Sequence, residues 1–143
     1  MSTRQHWRAL VVVAVGFALP ACTDETHASQ DKQSPAVVTE IDGTDFKEVT
    51  LTEQAVERVG LVMGAVSESS GTKTVPYAAV VYDQHGATFV YTSPRPLTFV
   101  RSPITVLEIG DDTASLTDGP DAGTEVVIVG TAQLFGAEQG IGY

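Results

Sequence analysis

The chain has 143 residues, 43% of them apolar, and this length and composition suit a single domain with its own hydrophobic core. Its net charge is −10, and from residue 22 onward all eighteen acidic residues face only six Lys and Arg, a balance of −12. Binding of phosphate groups relies on clustered Lys and Arg, so this balance excludes nucleic acid and anionic lipid headgroups as direct ligands.

Residues 1–21 have the layout of an export signal. Arg4 and Arg8 supply a positive region, residues 9–19 form an apolar core of eleven residues, and the sequence Leu-Pro-Ala-Cys follows. Eleven residues at about 1.5 Å each do not cross about 30 Å of hydrocarbon. The segment therefore predicts export and not a membrane span.

Cys22, the only cysteine, follows a small residue at the end of this apolar core and resembles the lipobox cysteine of bacterial lipoproteins. The resemblance implies that its thiol carries a diacylglycerol and that the signal is cut before it. Pro20 departs from the usual residue of that motif, and an ordinary secretory signal with an incidental cysteine is the alternative. Thr23, where an Asp would favour retention in an inner membrane, favours an outer membrane if the cell has one. We expect a protein of the cell envelope, lipid-anchored on the extracytoplasmic side.

Residues 22–45 are predicted to form a flexible acidic tether. They are rich in Thr, Asp, Glu, Ser, Gln and Lys and carry few large apolar side chains. Such a composition buries too little surface to offset the entropy of ordering the chain.

Residues 46–66 predict a strand, a short helix and a second strand. The pattern alternates over residues 46–51, Thr52 is a good N-cap, and Gly60 follows the apolar stripe of the helix as a C′ residue does. Residues 67–72 are a loop by composition.

Three β-branched and aromatic runs in the middle of the chain predict an antiparallel meander, because short polar turns separate them. The runs are residues 75–82, 87–92 and 97–106, and the turns are residues 83–86 and 93–96. Alternation places Phe89 and Tyr91 on one face of the second strand and Val90 on the other. Pro103 has no N–H to donate, so we expect the third strand to bulge there or to lie at an edge.

The C-terminal part predicts two more strands, at residues 114–117 and 125–129, then one helical turn at residues 131–135 and a loose tail at residues 139–143. The expected fold is mainly β: an antiparallel β-roll or partly open barrel of six to eight short strands with one short helix. Residues 46–138 are expected to form this domain.

The same region carries an ordered series of strand and turn motifs. They are VTLTEQAVERVGLVMGAV, VPYAAVVY, ATFVYT, FVRSPITV, GPDAGTEVV and GTAQLFGAE, all within residues 49–138. This order resembles the membrane-proximal domain of periplasmic adaptor proteins, also called membrane fusion proteins, of RND-type efflux systems. The resemblance implies a β domain that packs on the extracytoplasmic face of a transporter and on neighbouring adaptors.

The chain departs from that family at one point. Adaptors place a β-barrel domain, a lipoyl-like domain and usually a helical hairpin between the two parts of the pattern, whereas here only residues 67–73 join them. The parts that contact an outer-membrane channel are therefore missing, and a complete adaptor function is not carried over. The remainder can close on itself, because both ends of the missing segment belong to the same β domain.

The sequence does not predict an enzyme, a metal site or a cofactor. His85 lies in a predicted hairpin turn, where a solvated role is expected. With His27, Met63 and an acylated Cys22 it makes too few N or S ligands for zinc or copper.

We therefore expect an interaction module that docks on a transporter or another envelope protein, with a small-molecule or metal-ion binding lipoprotein as the alternative. That alternative would use a pocket between the sheet and the Thr52 helix, with converging polar groups. The residues predicted to contact the partner are Tyr91, Arg95, Phe99 and Arg101. In the competing interpretation, Phe99 and Tyr91 are core residues and both arginines form local ion pairs.

Overall fold

The computed structural model describes residues 34–141, and within this range the chain is mainly β. The strands are β1 (Ala36–Glu40), β2 (Lys47–Leu51), β3 (Val62–Ala65), β4 (Ser67–Ser69), β5 (Thr72–Pro76), β6 (Val81–Tyr82), β7 (Thr88–Arg95), β8 (Thr98–Pro103), β9 (Thr105–Ile109), β10 (Thr113–Asp118) and β11 (Glu125–Val129). The helices are α1 (Glu53–Val59), α2 (Thr131–Glu138) and a 3-10 turn at Tyr77–Ala79. The predicted mainly β class is confirmed, with eleven strands where six to eight were expected.

The strands form two antiparallel sheets, and neither closes into a barrel within the described range. The first has the order β1-β2-β8-β7-β11-β3, with β6 also pairing with β7, and the second has the order β4-β5-β10-β9. One hydrophobic cluster lies between the first sheet and the two helices, and another lies between the two sheets. The domain is therefore built in three layers, with the first sheet in the middle.

Strand β7 shows how alternation builds both clusters. Phe89 and Tyr91 belong to the cluster on the helix side, whereas Val90 belongs to the cluster between the sheets. Because successive side chains of a strand point to opposite faces, one strand in the middle layer serves two cores. This placement of the three residues was predicted from the sequence and is confirmed.

The predicted meander is only partly correct, because two of its three runs change sheet. In the first run, the residues up to Pro76 belong to β5 of the second sheet. Only Val81–Tyr82 pairs with β7 in the first sheet. In the third run, the residues up to Pro103 form β8 in the first sheet. The next strand, Thr105–Ile109, is β9 of the second sheet. Each change follows a proline, which has no N–H to extend the ladder.

The predicted tether is wrong for Ala36–Glu40. This segment pairs with all five residues of β2, from Ala36 opposite Leu51 to Glu40 opposite Lys47. The strand gains main-chain hydrogen bonds at the open edge of the sheet, and it buries only Ala36. Composition did not reveal it, since edge pairing requires little apolar burial. The remainder of the tether before residue 34, the predicted signal and Cys22 lie outside the described residues.

Helix α1 has the caps that the sequence predicts. The Oγ1 atom of Thr52 accepts a hydrogen bond from the N–H of Ala55 at 3.1 Å, and Gly60 ends the helix in the left-handed region at φ 67°. Helix α2 is longer than the single turn expected. The predicted loose tail is wrong for residues 139–141, because the N–H of Ile141 donates to the carbonyl of Gly136 at 2.8 Å.

The predicted loop at residues 67–72 is instead a tight hairpin of β4 and β5. Ser69 pairs with Thr72, so only Ser70 and Gly71 form the turn. Both have positive φ, at 53° and 79°, as the type I′ hairpin turn requires. Glycine adopts this conformation without cost, and Ser70 is the one residue here that bears a side chain in it.

Candidate functional site

Two of the four residues predicted to contact a partner lie in the core. Tyr91 is 0% exposed and Phe99 is 3% exposed, and both belong to the cluster on the helix side of the first sheet. Their assignment to a binding surface is wrong, because the helices cover their side chains. Alternation does place them on the helix side of the sheet, and the helices cover that face.

Arg95 is the most exposed of the four. Its side chain is 64% exposed and pairs with Glu48 on strand β2, on the far side of the intervening strand β8. An exposed pair of this kind contributes about 0 to 1 kcal/mol. Arg95 is thus accessible to a partner, although its charge already has a local counterion.

Arg101 belongs to a buried hydrogen-bond network with Tyr91 and Glu138. The Nε and Nη2 atoms of Arg101 lie 2.8 and 2.7 Å from Oε1 of Glu138, and the Tyr91 hydroxyl donates to Oε2 at 2.6 Å. The Glu138 side chain is 0% exposed and that of Arg101 is 14% exposed. Because Tyr91 and Arg101 are cross-strand partners on β7 and β8 and Glu138 ends α2, the network ties the helix to the middle sheet.

Burial, and then the hydrogen bond to Glu138, raise the pKa of the Tyr91 hydroxyl far above its usual range. Tyr91 therefore keeps its proton and acts as a donor to the carboxylate. The network has the structural role that the competing interpretation expected for Tyr91 and Arg101.

Glu138 itself was not predicted, although the sequence contains a signal for it. It occupies the last position of α2, where a carboxylate meets the negative end of the helix dipole. An acid in that position needs a compensating cation, and Arg101 supplies it.

The guanidinium of Arg101 also lies against two aromatic rings. Its Cζ atom is 5.0 Å from the ring centroid of Phe89 and 5.6 Å from that of Phe46. These are cation–π distances, so the rings add to the stabilisation of the cation.

A polar cleft of about 550 Å³ opens beside this guanidinium. Its lining residues are Asp45, Phe46, Asp83, Gln84, His85, Arg101, Phe135, Gln139 and Ile141. Two half-buried phenylalanine rings, two carboxylates and two side-chain amides thus converge on one space. Its volume falls in the range of about 300 to 1,000 Å³ typical of small-molecule sites.

The turn at Asp83 forms one side of the cleft. Oδ1 of Asp83 accepts hydrogen bonds from the N–H groups of His85 at 2.8 Å and Ala87 at 2.9 Å. The bond from His85 is the largest cause that lowers the pKa of Asp83 below its usual value. The carboxylate is thereby held charged and oriented at the edge of the cleft.

An apolar groove of about 390 Å³ lies between α1 and α2. Its lining residues are Pro35, Leu51, Ala55, Arg58, Val59, Ala132, Gln133, Leu134, Gly136 and Ile141. Leu51, Ala55 and Leu134 are buried, whereas Arg58 and Gln133 are exposed. Arg58 is the only charged residue in the lining. The alternative interpretation of the sequence expected a pocket between the sheet and the Thr52 helix, but the walls from Pro35 and α2 were not predicted, because they come from distant segments of the chain.

The residues considered as metal ligands do not converge within residues 34–141. His85 lines the polar cleft, and Met63 packs against the core on the helix side. In this part of the chain no three His, Cys, Asp or Glu side chains are close enough together to hold a metal ion. Cys22 and His27 lie outside it.

Within residues 34–141, no helix has both the length and the apolar character needed to cross a bilayer. The chain matches no protein-family model, no curated protein and no solved structure.

Proposed function

We propose that the protein is an interaction module of the cell envelope, held to a membrane by acyl chains on Cys22 and docking on a membrane protein through the groove between α1 and α2. The observation that carries this proposal is the lining of the groove. Apart from Arg58 and Gln133, every residue that lines it is apolar or glycine. An open apolar groove with a polar rim suits a protein segment.

Charge complementarity specifies the partner segment further. Arg58 is exposed at the groove and makes no ion pair with another residue of the range 34–141. A short apolar segment that carries one acidic residue satisfies both the walls and this cation. The resemblance of residues 49–138 to the membrane-proximal domain of efflux adaptors makes the extracytoplasmic face of a transporter the first partner to test.

The alternative, a small-molecule or metal-ion binding lipoprotein, fits the groove less well. A volume of about 390 Å³ is sufficient for a small ligand. The groove, however, offers one charged side chain and one amide, so few groups are available to orient a ligand. A protein segment needs fewer of them, since area and shape contribute most of its contact.

Site-specific photo-crosslinking in native membranes tests the docking proposal. A crosslinker in place of Ala132, which lines the groove, is expected to capture a membrane protein, and a crosslinker in place of Ala122 is the matched control. Ala122 is an exposed alanine in the turn before β11 and does not line the groove. Ala132→Arg in the same membranes should remove the partner from a pull-down, whereas Ala122→Arg should not. Equal capture from the two positions contradicts docking through the groove.

Cys22→Ser tests the anchor separately. The variant should move from the membrane fraction to the soluble fraction, since a thiol is required for acylation. A Cys22→Ser protein that still pellets with membranes, from a precursor that is still cleaved normally, excludes the lipid anchor. Docking can fail while the anchor holds, so the two parts of the proposal are judged independently.

A further inference from the structure

The polar cleft beside Arg101 is a second concave site, distinct in chemistry from the groove between the helices. We infer that it binds a small organic cation with an apolar or aromatic body. The inference rests on the charge of its walls, on its two phenylalanine rings and on the fixed position of one of its carboxylates.

The charge balance of the cleft is negative. Arg101 lines it, but both nitrogens that face Glu138 are engaged by a fully buried carboxylate, so this pair contributes no net charge. Asp45 and Asp83 remain, and neither makes an ion pair with a Lys or Arg of residues 34–141. Two carboxylates outside any ion pair in a partly enclosed space attract a cation and repel an anion, although Arg101 and His85 offset part of the charge of Asp83.

The apolar part of the cleft favours an organic cation over a hydrated inorganic one. Phe46 and Phe135 are half-buried and line the space. Phenyl rings offer apolar area and a negative face to an ammonium or aromatic cation. Asp45, Asp83 and His85 line the cleft but are not close enough together to hold a metal ion, so its chemistry suits a ligand held by two charges and by ring contact.

Asp83 is preorganised for this role. Two backbone N–H groups hold its Oδ1 atom, which leaves Oδ2 for a ligand. A carboxylate that is already fixed loses little conformational freedom when a ligand binds. The amides of Gln84 and Gln139 add neutral acceptors beside it.

Calorimetric titration of the full mature chain with benzyltrimethylammonium tests the inference, with benzenesulfonate as the anion of similar size. The cation is expected to bind, with affinity that falls as ionic strength rises, and the anion is not. Absence of cation binding, or anion binding of equal strength, overturns the inference.

Two charge-removing variants locate the site. Asp45→Asn and Asp83→Asn keep the side-chain shape, and Asn at position 83 retains an oxygen for the turn. Together they should weaken cation binding about tenfold, a loss equivalent to about 1.4 kcal/mol. Asp111→Asn removes an exposed carboxylate that does not line the cleft and should change affinity less than twofold. An equal effect of the double variant and of this control overturns the site.

Two further measurements keep the test decisive. If Asp83→Asn unfolds the turn, the variants Asp45→Asn and Phe46→Leu probe the cleft and leave the turn unchanged. Both should weaken cation binding. Ala132→Arg should leave cation binding unchanged, since Ala132 lines the groove and not the cleft. A loss of partner docking without a loss of cation binding then separates the two sites.

Discussion

Arg101→Met is the perturbation that most directly tests the buried network. Methionine retains the apolar length of the side chain and removes the guanidinium. The Glu138 carboxylate, whose side chain is 0% exposed, then keeps only the hydroxyl of Tyr91 as a partner. Removing one member of a buried ion pair typically costs about 3 to 5 kcal/mol, because the other charge stays buried.

The structure supports the full size of that penalty. Two contacts, at 2.8 and 2.7 Å, disappear, together with the cation–π contacts to Phe89 and Phe46. Against a total stability of about 5 to 15 kcal/mol for a domain, the loss is a large fraction. The free energy of unfolding is measured by urea titration followed by far-ultraviolet circular dichroism.

Two comparisons make this result interpretable. Arg95→Met removes an exposed arginine from the same hairpin and should cost no more than about 1 kcal/mol. The double variant Arg101→Met, Glu138→Leu removes both charges and should be markedly more stable than Arg101→Met alone. A cost below about 1 kcal/mol for Arg101→Met, or strictly additive costs in the double variant, would refute the reasoning.

Three other outcomes are expected from the same titrations. Thr52→Ala removes the N-cap of α1 and should cost about 1 kcal/mol; no change would mean that the cap bond does not contribute. Gly130→Ala should cost more than Gly123→Ala, because both have positive φ but only a Cβ at position 130 meets Val59, at 2.8 Å; equal costs would exclude the clash. Because the pKa of Tyr91 is raised in the folded protein, its contribution to stability is intact below about pH 10, the pKa of an unfolded tyrosine. The free energy of unfolding should fall as the pH rises above that value, and Tyr91→Phe should reduce this fall.

Local patterns predicted the parts of the fold that depend on neighbouring residues. The caps of α1 and the alternation of β7 follow from contacts within a few positions, and both were confirmed. The changes of sheet after Pro76 and Pro103 were not predicted as such, although both prolines mark them. A proline shows that a ladder ends, but the direction that the chain takes next depends on distant partners.

The binding surface was harder to predict for the same reason. Alternation placed Tyr91 and Phe99 on one face of the sheet, but it did not show that helices cover that face. Glu138 lies 47 residues from Tyr91 and 37 from Arg101, so no local pattern joins the three. The groove likewise needs Pro35, which was assigned to a tether, to meet residues near both helices.

The two-residue turn at Ser70 and Gly71 makes this domain a natural host for grafted sequence. The flanking residues Ser69 and Thr72 are opposite partners in a ladder, so the two ends of any graft start a few ångströms apart. An inserted domain whose own two ends lie close together adds little to the entropic cost of closing the turn, and the rest of the hairpin stays paired. We therefore expect that whole domains can be inserted at this turn, or removed from it, without repacking either core.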